Sequence, residues 1–300
     1  MHAFAEWVSS RRHRSVAIAA LLGLLSPLVG LLAPLAIPSA GVVVLADLRH
    51  GAREAFLVLA SATLLLMLAR TLLGGGSAIA LGVSLALWLP ALGVSELLRR
   101  SGSLSLCLQA TVLGVCALAA ALFIAGDPVG ETRTLLETMK SELETALQKP
   151  VTAEMLTAFA RGFTAAAFAG TLVTITASVL LGRWWDSLLR GTSFGAEFRQ
   201  LRMGRVLALA FAVLLGVYLL THAVMLESLI CILGVGFVFQ GLAVLHTAAA
   251  AQGLHIGWLV ALYVALFATA FYAGIVIALV GWFDVWLDLR GRLQRRPQAR

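Results

Sequence analysis

Nine long apolar stretches dominate the sequence, at residues 15–33, 35–48, 55–73, 77–98, 104–125, 157–182, 206–223, 225–250 and 256–283. A membrane-spanning helix needs about 20 apolar residues, within a range of about 17–25, so most stretches fit one crossing each. Only 12% of the residues are charged and 60% are hydrophobic, whereas about a quarter of the residues of a soluble domain are charged. The chain cannot cover a water-facing surface. A soluble enzyme, a nucleic-acid-binding protein and a secreted module are therefore excluded.

These stretches predict an all-α fold, a polytopic transmembrane helix bundle of about 8–10 membrane segments, some of them short or broken. Residues 1–300 are expected to form a single integral membrane domain. Pro27, Pro34 and Pro38 lie in or beside the first two stretches. Because proline ends or kinks a helix, these two stretches are expected to form a broken hairpin. The run Gly74-Gly75-Gly76 predicts a tight turn between the third and fourth stretches.

The basic residues are concentrated between and beyond the apolar stretches. The formal net charge is +7, and residues 1–14, 183–205 and 282–300 carry net charges of +2, +3 and +3. Residues 127–154 instead hold six acids and three bases. Cytoplasmic loops of membrane proteins carry an excess of Lys and Arg. The basic segments are therefore predicted to be cytoplasmic and the acidic segment extracytoplasmic, and the basicity is explained without nucleic acid.

The C-terminal charges predict one additional crossing. Nine single crossings from a cytoplasmic N-terminus would place the basic tail, residues 284–300, outside, against the positive-inside rule. Our preferred solution is that residues 254–288 form two short helices that turn near Ala270-Phe271. The alternative is that residues 225–250 divide at Gly234 to Gly236. Either solution gives a multi-pass membrane protein with both termini in the cytoplasm.

Three sequence segments carry a family resemblance. They are Gly182–Trp185 together with Phe194–Arg202, the run Phe239–His246, and the ending Gly281–Arg290. In these segments the chain resembles the YybS-like family of predicted bacterial membrane proteins, also known as domain of unknown function 2232. The resemblance covers essentially the whole chain and implies no established activity. It also implies a distant similarity in fold to the substrate-binding membrane components of energy-coupling factor vitamin transporters, which does not settle function.

Residues 127–155 are predicted to be an extracytoplasmic loop that contains one amphipathic helix. Asp127-Pro128 has the pattern of an N-cap followed by proline at the first helical position, and Lys149-Pro150 would end the helix. Its apolar residues recur at helical spacing: Leu135, Leu136, Met139, Leu143 and Leu147. Two interpretations remain open. The helix is either a lid over an outward-facing site or a long loop with one apolar stripe.

Residues 183–205 contain the densest mixture of basic and aromatic side chains. The candidates for docking are Arg183, Trp184, Trp185, Phe198, Arg199 and Arg202. Such a pattern is typical of anchoring on anionic lipid. The alternative is a docking site for a cytosolic or membrane protein partner. The segment Gly182–Gly191 also resembles Gly281–Gly291, which indicates either a duplicated interfacial element or two ordinary exit helices with aromatic anchors.

Four polar residues in or beside the C-terminal apolar stretches are the candidates for substrate binding. Glu227 opens one stretch, just after His222. It is interpreted either as a ligand that faces an outer cavity, with His222 as its nearest partner, or as an interfacial carboxylate that reaches water. Gln240 and His246 are six residues apart, which places them about 240° apart on one helix. They cannot form one site by themselves.

The sequence shows no catalytic motif, no metal-ligand spacing and no cofactor fingerprint. Cys107, Cys116 and Cys231 lie in apolar runs without paired spacing. We therefore expect that the chain has no enzyme activity. We expect it to be a transporter or a membrane substrate-capture subunit for a small molecule, without its own ATPase. The alternative is a scaffold or assembly factor that binds a partner through the basic loop. The near absence of buried charge that the sequence suggests and the rich cytoplasmic loop support the scaffold. A deep polar cavity would favour the transporter, and a solid core would favour the scaffold.

Overall fold

The computed structural model describes residues 1–26, 34–74 and 77–295, and these residues form helices and no strand. In chain order the helices are α1 His2–Ser9, α2 Arg12–Leu25, α3 Ala36–His50, α4 Ala52–Leu72, α5 Ser77–Val83, a π-helix Ser84–Trp88, α6 Leu89–Ser101, α7 Leu104–Ala125, α8 Pro128–Thr138, α9 Lys140–Leu147, α10 Ala153–Arg190, α11 Phe194–Arg199, α12 Arg205–Thr221, α13 Val224–Ala251, α14 Ile256–Ala268, α15 Ala270–Leu287 and α16 Leu289–Arg295.

Several of these helices are long and apolar enough to cross a membrane. Among the described residues, five spans meet both criteria, Ala52–Leu72, Ala80–Ser101, Leu104–Ala125, Ala153–Arg190 and Val224–Ala251. Three further apolar helices are shorter than these spans: α12, α14 and most of α15. The prediction of an all-α, polytopic membrane bundle with some short or broken segments is confirmed.

The chain forms two compact units. The first contains Met1–Thr111 and Val173–Leu201, and the second contains Val112–Leu172 and the described residues from Arg202 onward. In the first unit α3 is buried continuously from Ser39 to Leu48. The hydroxyl of Ser39 donates to the carbonyl of Ala19 at 2.8 Å and accepts from Trp88 Nε1 at 3.1 Å. A buried hydroxyl therefore joins three helical segments of this unit.

The predicted chain breaks have mixed outcomes. Pro38 lies in the first turn of α3, where proline is tolerated because the N–H it lacks would have no helical partner. Pro27 lies outside the described residues, and so do Gly75 and Gly76 of the predicted turn. Gly74 has a φ of +75°, a backbone conformation that glycine adopts without strain.

The C-terminal region follows the preferred prediction. Residues 256–268 and 270–287 form two helices, α14 and α15, which are separated at Thr269. Helix α13 is unbroken from Val224 to Ala251, so the alternative division at Gly234 to Gly236 is wrong. The pair of short helices is thereby confirmed, and the side of the membrane on which each end lies stays a prediction.

Helices α13 and α15 pack closely through two glycines. A Cβ atom on Gly241 would overlap the carbonyl oxygen of Ile277, and one on Gly281 would overlap the carbonyl oxygen of Phe237. Gln240, three residues beyond Phe237, bonds to Asp284, three residues beyond Gly281. Both helices run opposite to the segment from Arg202 to Phe211: along it, Met203 bonds to Gln240 and Phe211 contacts Phe237, while Arg202 pairs with Asp288 and Ala208 accepts from Trp282. Helices α13 and α15 therefore run in the same direction. Small residues allow this approach of backbones in membrane helices.

The first unit contains a similar pair. Gly41 of α3 contacts Leu181 of α10, and Arg190 of α10 donates to the carbonyl of Leu48 at 2.9 Å, so these helices also run in the same direction. A Cβ on Gly182 would overlap the side chain of Val44. The resemblance between Gly182–Gly191 and Gly281–Gly291 thus corresponds to a shared packing arrangement within each unit.

Candidate functional site

An ion pair in the second unit joins α10 to α13. Arg161 Nε and Nη2 lie 3.1 and 2.8 Å from Glu227 Oε2. The side chains are 31% and 29% exposed. Arg161 Nη2 also donates to the backbone carbonyl of His222 at 3.5 Å. Glu227 thus has a cationic partner in Arg161, and His222, the nearest candidate in sequence, contributes its backbone carbonyl to the same guanidinium.

Two cavities border this ion pair. We call the first the vestibule; it has a volume of about 570 Å³, and its polar lining comes from Glu154, Thr157, Arg161, Tyr218 and Glu227. We call the second the cleft; it has a volume of about 520 Å³ and is enclosed by residues of α10, α12, α13 and α15. Glu227 borders both. The carboxylate therefore lies at the boundary between a polar and an apolar space.

Small residues in the wall of the cleft create its volume. Gly162, Ala165, Gly234, Gly274 and Ala278 line it, and such residues leave space between helices that larger side chains would fill. Its aromatic lining is formed by Phe211, Phe237, Phe271 and Trp282. Cavities of about 300–1,000 Å³ with mostly apolar walls and few polar groups are typical of small-molecule sites. The cleft has the size and composition of such a site.

Trp282 is fixed at the cleft wall. Its indole Nε1 donates to the carbonyl of Ala208 at 3.1 Å, and its ring contacts Phe283 and Trp286 edge to face. The rings of Phe211 and Phe237 also meet edge to face, with centroids 5.5 Å apart. These contacts hold the aromatic wall of the cleft in place.

Gln240 does not line the cleft. It is 1% exposed, its Oε1 accepts from the backbone N–H of Met203 at 2.7 Å, and its Nε2 donates to Asp284 Oδ2 at 2.9 Å. Asp284 also accepts from Arg290 Nη2 at 2.7 Å. The interpretation of Gln240 as a substrate ligand is corrected, because protein groups hold both ends of its amide.

His246 lies apart from this network. Its Nε2 is 2.9 Å from the hydroxyl of Tyr263 on α14. Together with Ile256, Val260 and Phe267 it borders an apolar pocket of about 560 Å³. This agrees with the argument that Gln240 and His246 do not share a site.

The basic segment 183–205 differs from the expected exposed loop. Residues 183–190 belong to α10, and Trp185 and Phe198 are buried. Arg183 bonds to Asp186 at 2.7 Å and to Glu197 at 2.9 Å. Trp185 and Phe198 are corrected as docking residues because they are buried, and Arg183 is corrected because Asp186 and Glu197 hold its guanidinium.

Other members of the docking set are more accessible. Trp184 and Arg199 are half-buried, and Arg202 is exposed. Arg202 Nη2 lies 3.3 Å from Asp288 Oδ1, with both side chains more than half exposed. The docking interpretation can therefore rest on these three residues and no longer on the full set.

The segment 127–155, which the sequence predicts to be extracytoplasmic, contains two helices, α8 and α9, with a break at Met139. The predicted cap is present, because Asp127 accepts a hydrogen bond from the N–H of Gly130 at 3.0 Å. Leu136 packs with Val151, Leu156 and Ala160 at the start of α10. Within the described residues, α8 and α9 contribute nothing to the lining of the vestibule or the cleft. The structure therefore favours the interpretation as a packed loop over that of a lid.

Buried charge is more abundant than the sequence suggested. Among the side chains that the structure describes, five charged ones are at most 9% exposed: Asp47, Arg70, Asp186, Asp284 and Arg290. The expected near absence of buried charge was wrong. Arg161, the decisive partner of Glu227, was also missed, because it lies alone within the apolar stretch 157–182 with no local carboxylate to mark it. Its isolation in an apolar run is a signal that could have found it, since intramembrane charges are usually paired.

Comparison with known proteins identified no matching family model, no matching curated protein and no matching solved structure. The resemblance to the YybS-like family stays a prediction.

Proposed function

We propose that this chain is a transporter or membrane substrate-capture subunit that binds a small amphipathic molecule and has no ATPase of its own. The observation that carries the proposal is that the polar vestibule and the apolar cleft meet at Glu227. A molecule with a polar head and an apolar body would match both spaces. Burial of a polar head in the cleft would be costly, because its walls offer few hydrogen-bond partners.

The proposal includes an orientation in a bacterial inner membrane. Arg202 precedes α12, Arg205 is its first residue, and Arg290 and Arg292 follow α15, so the positive-inside rule assigns this end of the second unit to the cytoplasm. The vestibule lies at the opposite end of α12, beside Tyr218. It would then open to the outside. Reporter fusions after Arg14 and Arg300 should both report the cytoplasm; opposite compartments would contradict this orientation.

Filling the cleft tests the proposed function. Ala278→Phe introduces a ring into the cleft, while Val276→Phe places the same ring on the exposed side of α15. The probe is an uncharged alkyl alcohol that carries a nitroxide, which quenches nearby indoles. Full chain in lipid nanodiscs should show saturable quenching of Trp282, assigned by its loss in Trp282→Phe. Ala278→Phe should abolish the saturable component, and Val276→Phe should retain it. Equal quenching in both variants would refute binding in the cleft.

The scaffold function remains a second candidate because Trp184, Arg199 and Arg202 are accessible. Combining Arg199→Glu with Arg202→Glu reverses two charges at this surface. The Arg202–Asp288 pair is exposed on both sides, so its loss costs little stability. A protein partner that co-purifies with the natural chain and is lost from the double variant, while insertion and cleft binding persist, would support the scaffold.

A further inference from the structure

The charged groups that line the vestibule are unequal in number. Glu154 and Glu227 contribute two carboxylates, Arg161 contributes one cation, and Thr157 and Tyr218 are neutral. The formal charge of the lining is therefore −1. On this basis we propose that the ligand is a single-chain amphiphile with an ammonium head group, bound with its head in the vestibule and its chain in the cleft. The inference rests on the proposed function and names its ligand class.

The ion pair leaves one carboxylate oxygen available. Both hydrogen bonds from Arg161 go to Glu227 Oε2, and within the described residues no hydrogen bond is recorded to Glu227 Oε1. A carboxylate can accept several hydrogen bonds through its two oxygens. An ammonium group carries three donors and no acceptor. It can therefore bind Oε1 without displacing Arg161.

An anionic head group would meet the opposite situation. The Nε and Nη2 donors of Arg161 face Glu227 Oε2, and Nη2 also faces the carbonyl of His222. A carboxylate or phosphate would have to compete with Glu227 for the guanidinium while remaining close to that negative charge. Like charges at short range are unfavourable. The arrangement thus discriminates against anions.

Two further groups favour a cation. Glu154 is exposed at the first turn of α10 and borders the same vestibule. The ring of Tyr218 also borders it, and aromatic faces attract ammonium groups within about 6 Å of the ring centroid. The chain of the amphiphile would then follow the boundary at Glu227 into the cleft, where burial of its methylene groups is favourable.

A head-group series with one common chain tests the ligand class. Dodecylamine, dodecanol and dodecanoate should compete with the nitroxide alcohol for the cleft, measured by recovery of Trp282 fluorescence in full chain. The nanodiscs should contain only zwitterionic lipid, so that the membrane itself does not select among the charged competitors. The amine should compete about tenfold more tightly than the alcohol, as a charge-assisted hydrogen bond implies, and the carboxylate should be the weakest.

Variants connect this preference to the named carboxylates. Glu227→Gln should remove most of the tenfold advantage of dodecylamine over dodecanol, and the ratio of the two affinities is the readout. Glu154→Gln, at an exposed position that no recorded contact ties to folding, should reduce the advantage by about threefold because its charge is more strongly screened. Glu131→Gln removes a carboxylate outside the vestibule and should change nothing.

The outcomes separate the two proposals. Equal competition by amine and carboxylate, or tighter competition by the carboxylate, would overturn the ammonium assignment while leaving the cleft as a binding site. An amine preference that survives both Glu227→Gln and Glu154→Gln would overturn it as well. If none of the three competitors displaces the probe, the proposed function itself fails. If Glu227→Gln does not fold, the smaller effect expected for Glu154→Gln decides the assignment.

Discussion

Asp284 and Arg290 form an ion pair in which both side chains are almost fully excluded from solvent, 2% and 4% exposed, with Arg290 Nη2 2.7 Å from Asp284 Oδ2. The same carboxylate oxygen accepts a hydrogen bond from Gln240, whose other end accepts from the backbone of Met203. The network joins α13, α15 and the segment before α12. Buried polar groups are tolerated when every member has a partner, so this network should respond sharply to the loss of any one member.

Replacing Asp284 by Ala should be strongly destabilising. The change leaves Arg290 buried without its carboxylate, and breaking one side of a buried pair costs about 3–5 kcal/mol. The measurement is the free energy of unfolding in mixed micelles. Asp288→Asn is the matched control, because Asp288 is exposed and has a φ of +44°, a conformation that Asn tolerates. A loss below about 1 kcal/mol for Asp284→Ala would contradict the role assigned to this network.

The close contact of α13 and α15 gives a second stability prediction. Gly281→Ala places a Cβ against the carbonyl of Phe237, and overpacking of this kind costs about 1–3 kcal/mol. Gly274→Ala, on the same helix, meets no atom within 4 Å and should be neutral or stabilising by up to about 1 kcal/mol through helix propensity. Thermal melting of the two purified variants measures the difference. Equal melting temperatures would show that the helices separate easily at this point.

The sequence predicted the helices far better than their partners. Apolar length and proline or glycine positions are local properties, and they were sufficient for the short pair α14 and α15 and for the cap at Asp127. Charge pairing is not local. Arg161 and Glu227 are 66 residues apart, and nothing in the periodicity of either stretch specifies that their helices meet.

The same limit explains why aromatic and basic residues were assigned to a surface. Trp185 and Arg183 lie in a segment whose composition is typical of a membrane interface, yet Asp186 and Glu197 hold Arg183 inside the first unit. The segments Gly182–Gly191 and Gly281–Gly291 share a glycine followed by an aspartate, and this shared pattern was more informative than the composition. Gly182 and Gly281 each lie at a close contact between two helices, and in both segments the aspartate that follows the glycine is buried.

Helix α8 provides a third prediction: loss of its buried side chain should lower the free energy of unfolding and leave ligand binding unchanged. Leu136 is buried against Val151, Leu156 and Ala160, so Leu136→Ala should cost about 2–5 kcal/mol. The neighbouring Leu135 is 61% exposed, and Leu135→Ala should change the free energy of unfolding by less than about 0.5 kcal/mol. Folded protein of both variants should bind the nitroxide probe as the natural chain does, because neither residue lines the cleft. Loss of probe binding in Leu136→Ala would restore the lid interpretation.

The Arg161–Glu227 pair gives the last prediction, a double-mutant cycle. Arg161→Gln, Glu227→Gln and their combination should reveal a favourable coupling of about 1 kcal/mol, at the upper end for partly exposed pairs, because two hydrogen bonds share one carboxylate oxygen and roughly a third of each side chain is exposed. The control cycle is Arg133 with Glu137 on α8, an i,i+4 pair at 3.1 Å whose side chains are both more exposed; its coupling should be about 0.3–0.5 kcal/mol. A bound amine should leave the second coupling unchanged, because Arg133 and Glu137 lie outside the vestibule. Equal couplings in the two cycles, with and without amine, would mean that the pair at the boundary of the cleft is an ordinary surface contact.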